Sequence, residues 1–73
     1  AHALIPANIL ARPLARMAGD LARHLAPGGT AILSGLLTRD ASWVLAAHRR
    51  FGLRKAGRIE RDGWSTLILR KSA

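Results

Sequence analysis

Asn8 is the polar residue whose placement points most directly to chemistry. It lies near the end of an otherwise apolar run, Ala3 to Ile9. A run that is apolar on both faces suits a strand buried in a parallel sheet. Open α/β sheets bind their ligands outside the carboxyl ends of such strands, so Asn8 is a candidate ligand-facing residue; the plainer alternative is a local turn or cap. Ser34-Gly35 ends a second apolar run, Thr30 to Leu36, on the same edge. Gly35 there either admits a close backbone approach or bends the strand.

The remaining candidates point less clearly to a site. His2, His24 and His48 have no cysteine nearby and no histidine at helical spacing, unlike the tight local spacing of zinc sites, so all three are expected on the solvated surface. Ser34, Ser42, Ser65 and Ser72 show no Ser-His spacing, and no Gly-x-Ser-x-Gly occurs. Gly28-Gly29 lacks the pattern of a phosphate loop and is expected to be a helix stop before a strand. Arg49-Arg50, Arg54-Lys55 and Arg58 form the densest basic group, either a solvated face or a surface for a polyanion such as ribosomal RNA; stacking aromatics are scarce, so a dedicated single-strand binder is not expected.

These residues need elements to hold them. Pro13 suits a first helical turn, and Leu14, Met17, Ala18, Leu21 and Leu25 recur at helical spacing, so a helix is expected over 12–26. Pro27-Gly28-Gly29 stops it. Thr38 is placed to cap a helix over 39–51, with Trp43, Val44, Ala47 and Phe51 as its apolar stripe and Gly52 as its end. Leu53 to Arg61 and Trp64 to Arg70 flank Asp62-Gly63, a hairpin signal because both turn residues must tolerate positive φ. The order is strand, helix, strand, helix, then a two-strand hairpin. A right-handed crossover makes the first two strands parallel.

Composition sets the bounds. Seventy-three residues, half of them hydrophobic, make a single packed α/β unit of marginal stability. Twelve basic residues against four acidic ones give a net charge of +8, which favours polyanionic partners. No apolar stretch approaches the roughly 20 residues of a membrane span, and no signal peptide is seen. The absence of cysteine fits a reducing compartment, and the cytoplasm is the expected location.

Taken together, Ala7-Asn8-Ile9-Leu10-Ala11, Pro13-Leu14, Leu25-Ala26-Pro27-Gly28-Gly29 and Leu33-Ser34-Gly35-Leu36-Leu37 resemble the methyltransferases that modify large-subunit ribosomal protein eleven. The resemblance continues through Gly52-Leu53 and the Trp64 strand. The Leu-x-Pro-Gly-Gly element is common to many methyltransferases; Asn-Ile-Leu-Ala followed by Leu-Ser-Gly-Leu-Leu is the more specific signal. Pro6 departs from the small or aliphatic residue usual in that family, and no acidic residue precedes the first strand, so that strand is expected to be irregular.

The resemblance implies that residues 1–73 are the C-terminal portion of a Rossmann-like domain that uses S-adenosylmethionine. The implied neighbour order is first strand, second strand, fourth, third. It further implies that Asn8 lies at the donor site near the reacting methyl, where its carbonyl would accept an N–H and aim the attacking nitrogen. An amide cannot itself be the general base. The family's glycine-rich loop, ribose-binding carboxylate and substrate-recognition domain have no counterpart in these residues, so the chain alone is expected neither to bind S-adenosylmethionine nor to catalyse. The implied partner is a ribosomal protein of the large subunit. Two other readings stand beside this one: a small basic RNA- or ribosome-binding module without catalysis, and a remnant that folds only by self-association.

Overall fold

A computed structural model describes residues 1–8 and 10–72. Strand β1 (His2–Asn8) is followed by two short helices, α1 (Ala11–Arg16) and α2 (Ala18–His24). Strand β2 (Leu25–Leu37), a 3-10 turn (Thr38–Asp40) and helix α3 (Ala41–Arg49) come next, then strands β3 (Leu53–Arg61) and β4 (Trp64–Lys71). The four strands form one mixed sheet in the order β1-β2-β4-β3, with β1 and β2 parallel and the other pairings antiparallel. Fold class and strand order are those expected. No helix among the described residues is long and apolar enough to cross a membrane.

Alternation along the strands decides which face is covered. Leu25, Ala31, Leu33 and Leu36 of β2, Leu53 of β3 and Leu67 and Leu69 of β4 are buried, against Leu14, Ala22, Ala41, Val44 and Leu45 of the helices. The side chains between them point to the other face, where Leu4 (56% exposed), Ile59 (59%) and Trp64 (51%) meet solvent. The helices thus cover one face of the sheet. β1 was expected to be buried on both sides, but as an edge strand with one uncovered face it leaves His2, Ala3, Leu4, Pro6 and Asn8 exposed. Its irregularity falls between His2 and Leu4, while Pro6 stays in register with Ile32; an edge is where a strand tolerates proline.

The helical segments depart from expectation in several places. The helix expected over 12–26 is broken at Met17, whose backbone (φ −86°, ψ 0°) ends α1 and starts α2. Met17 is exposed, and Leu25 belongs to β2. Pro27-Gly28-Gly29 does not precede the strand but lies within β2, where the pairing jumps from His2–Leu25 to Leu4–Thr30. The buried stripe of α3 is Ala41, Val44, Leu45 and His48, not Trp43 and Phe51, which are exposed. Thr38 does not cap that helix. Its hydroxyl bonds that of buried Ser65 at 2.9 Å, and its N–H donates to the Gly63 carbonyl, tying the 3-10 turn to the hairpin. Gly52 (φ +81°) follows the end of α3 as expected.

Two cationic or polar side chains lock the layers. The Lys71 ammonium donates to the Ala22 and Leu25 carbonyls (2.6 and 2.9 Å), satisfying acceptors that a helix C-terminus leaves free. His48, expected on the surface, is fully buried. Its Nδ1–H donates to the Val44 carbonyl (2.8 Å), which fixes the tautomer because a carbonyl only accepts, and Nε2 has no partner among the described residues.

Burial lowers the His48 pKa below its ordinary 6.5, and the bond to Val44 opposes this only in part. The folded chain therefore holds His48 neutral while the unfolded chain protonates it. His48 leaves stability undiminished above pH 6.5; below that value stability falls by up to about 1.4 kcal/mol per pH unit until the lowered folded pKa is reached. Urea melts between about pH 7.5 and 5 should show this slope, and His48→Phe should flatten it. Equal slopes in both proteins would assign the acid sensitivity elsewhere.

Candidate functional site at the carboxyl edge

Parallel pairing of β1 and β2 ends at Asn8 opposite Ser34. Both strands run toward this edge, so the segments leading to α1 and α3 leave from it. The sheet therefore presents at one edge the residues singled out from the sequence: Asn8, Ser34 and Gly35. Ile9 of the Asn-Ile-Leu-Ala motif lies outside the described residues.

Gly35 serves both of the purposes open to it. Between the pairs Leu33–Leu67 and Leu36–Ser65, β2 has two residues where β4 has one, a bulge. Gly35 adopts φ +77° there, a left-handed conformation costly for residues with a Cβ. The extra residue resets the alternation, so Leu33 and Leu36 both face the core. Gly35 also admits a neighbour: a Cβ on it would overlap the Asn8 carboxamide oxygen. The Asn8 side chain thus lies over the Gly35 backbone.

A groove of about 640 Å³ opens on the same edge, lined by Leu10, Ala11, Arg12, Pro13, Asp40 and Trp43. The Trp43 indole N–H donates to the Asp40 carboxylate at 3.0 Å, which holds the ring at the rim. Asp40 and Trp43 do not stand out as site residues in the sequence, because Trp43 at helical spacing looks like core. The signal was the Asp-x-x-Trp spacing directly after the second strand, one helical turn that brings carboxylate and indole together. Elsewhere, His24 Nδ1 bonds the Asp20 carbonyl (2.8 Å) and Arg23 pairs with Asp20. Among the described residues no cluster of three or more His, Asp or Glu could hold a metal ion.

A family model for ribosomal protein L11 methyltransferase matches residues 1–72. The chain belongs to this family. Curated relatives of that name include those of Bradyrhizobium diazoefficiens (54% identical over 68 residues), Rhizobium johnstonii (56% over 66) and Caulobacter sp. (48% over 68). The matches cover 93%, 90% and 93% of this chain, which spans 23%, 23% and 24% of those relatives. The crystal structure of the ribosomal protein L11 methylase from Lactobacillus delbrueckii subsp. bulgaricus superposes with a TM-score of 0.88 at 26% identity, covering 96% of this chain and 36% of that one. The four-stranded unit is therefore a portion of the methyltransferase fold, as the motifs imply.

Gly35→Ala should lower the unfolding free energy by about 1–2 kcal/mol from the left-handed backbone alone. It should also swing the Asn8 carboxamide aside, because an amide end rotates more cheaply than a bulge rebuilds. Denaturant melts and the Asn8 side-chain NH₂ resonances report the two effects. Unchanged stability together with unmoved resonances would contradict the geometry.

Proposed function

We propose that the chain is part of an S-adenosylmethionine-dependent N-methyltransferase acting on ribosomal protein L11, with Asn8 at the donor site and the chain inactive alone. The observation that carries this reading is the seating of Asn8 over Gly35 at the carboxyl edge of a parallel pair, in a chain matched almost end to end by the family model. The donor, when bound, supplies a methyl on a sulfonium sulfur. Asn8 would hold that end of the site: its carboxamide oxygen accepts an N–H of the incoming neutral amine and points the nitrogen lone pair at the methyl. Such orientation accounts for much of the gain in a bimolecular transfer. Proton removal falls to another group, since an amide has no useful pKa.

The rest of the donor site has no counterpart here. These residues include no glycine-rich loop after a strand and no carboxylate placed for the donor ribose. The free edge of β1 borders a groove of about 660 Å³ whose apolar lining includes Leu4, Ile5, Pro6, Met17 and Leu21. Unpaired strand edges of this kind recruit other chains. For the chain alone, we infer that a second copy covers this edge; a monomer by sedimentation at every concentration would refute that.

Calorimetric titration of the chain with S-adenosylmethionine should give no micromolar binding. A chimera in which the chain replaces the matching 68 residues of the Bradyrhizobium diazoefficiens relative should methylate ribosomal protein L11. In it, Asn8→Ala, which removes one orienting hydrogen bond, should cost about 2–4 kcal/mol of transition-state stabilisation, by analogy with removal of an oxyanion-hole donor, or roughly 30- to 1000-fold in turnover. The melting temperature should move little. Unchanged turnover with lowered stability would make Asn8 a structural cap and remove it from the site.

A further inference from the structure

We propose that the groove between the start of α1 and the start of α3 holds a basic side chain of the methyl acceptor, close to the amine being methylated, with Asp40 and Trp43 as its contacts. This rests on the methyltransferase reading and names what that site selects. The starting observation is a capping residue that does not cap. Asp40 precedes α3, where an aspartate ordinarily accepts the first free N–H groups of the helix; here its side chain makes no such bond. The carboxylate turns instead to the Trp43 indole N–H, at 3.0 Å, and both residues line the groove. The ion pairs among the described residues are Arg23–Asp20 and Arg58–Glu60, so no cation there neutralises Asp40. A carboxylate has about four acceptor positions, and one indole leaves most of them for a ligand. The Trp43 ring stays 41% exposed, held by that bond as a groove wall.

The groove lies at the ligand end of the fold, and this chain builds both of its walls. Leu10, Ala11, Arg12 and Pro13 form one, Asp40 and Trp43 the other. Helices of a doubly wound sheet cover its faces and leave the carboxyl ends of the strands open to ligands, so the greater length of the relatives can border this groove without replacing either wall. β2 occupies one side of β1. The donor-binding residues that this chain lacks therefore reach Asn8 from the other side, and the acceptor is left the side of the groove. The reacting amine must be neutral to attack the methyl, and a carboxylate favours the charged form of an amine. Asp40 thus suits a second cation, not the nitrogen being methylated. Leu10 follows Asn8 by two residues, at most about 7 Å along the chain, so that cation belongs to a residue within about three of the methylated one. Lysine and arginine both fit: the aliphatic stem packs on Leu10, Pro13 and the indole while the charged head meets the carboxylate. A groove of about 640 Å³ takes one such side chain, and Arg12 repels a second. A nucleic acid or an acidic lipid would meet Asp40 with like charge.

Two preparations test this. On the 73-residue chain, the Trp43 indole N–H resonance, assigned by its loss in Trp43→Phe, is followed during titration with N-acetyl-lysine methylamide and with its uncharged norleucine analogue. The lysine probe should shift it, less so in high salt, and the norleucine probe at the same concentration should not. In Asp40→Asn the lysine shift should vanish; asparagine keeps an acceptor for the indole, so only the charge is lost. The Trp64 indole N–H should stay in place throughout. In the chimera, the methylated amine of the ribosomal protein is first located by mass spectrometry. Asp40→Asn should then raise KM for the ribosomal protein roughly two- to fivefold, the worth of an exposed ion pair. Turnover and donor affinity should hold, as for a contact made equally in the ground and transition states. Replacing the flanking basic residue of the ribosomal protein by glutamine should raise KM equally, and add nothing in Asp40→Asn. An equal response to both probes, no lysine or arginine flanking the methylated amine, or a changed donor affinity in Asp40→Asn would overturn the proposal. A chimera that methylates nothing refutes the reading beneath it, and the titration then still decides what the groove holds.

Discussion

The bulge at Gly35 is the constraint on which the rest of the structure turns. Strict alternation along β2 would place Leu33 and Leu36 on opposite faces. One extra residue, in a conformation that glycine adopts without penalty, brings both into the core. Losing Leu36 from that layer would remove about 1.5–3 kcal/mol of burial, a large share of the stability of so small a unit. The same residue leaves room for the Asn8 carboxamide. Core packing and the candidate site therefore depend on one backbone position.

A single covered face follows from that leucine layer. With α1, α2 and α3 on one side, everything else is either a sheet edge or open face, and each is used differently. The carboxyl edge brings Asn8, Ser34 and the Asp40–Trp43 pair to one end of the parallel strands. The free edge of β1 lies beside an apolar groove. The far hairpin carries arginines that no acid in the described chain neutralises. The 3-10 turn is stitched to the hairpin through Thr38 and Ser65, and the end of α2 to β4 through Lys71.

Much of this was legible in the residues, for local reasons. Asp62-Gly63 announced the hairpin because few other pairs accept two positive φ values, and φ is +52° and +80° there. Asn8 and Ser34-Gly35 were legible as residues of one edge because they lie near the ends of two apolar runs; that Asn8 seats over Gly35 was not. What the sequence concealed depends on distant neighbours. The break at Met17 cannot be read from a stripe that continues through it. His48 looks like a surface residue until α3 is seen to turn Val44, Leu45 and His48 inward and Trp43 and Phe51 outward. Thr38 has the chemistry of a cap, but its partner is Ser65, twenty-seven residues away. The exposure of β1 reflects the missing cover on one face, which its apolar composition does not reveal.

The central claim, that the Asn8 edge of this sheet is where the donor sits, is most directly tested by nuclear magnetic resonance on the chimera. The Asn8 side-chain NH₂ pair, assigned by its loss in Asn8→Ala, is followed as S-adenosylmethionine is added. The account predicts that this pair shifts and saturates together with donor binding, while the Arg54 and Arg70 side-chain resonances on the opposite side of the sheet stay in place. Saturating donor with the Asn8 resonances unmoved would contradict it.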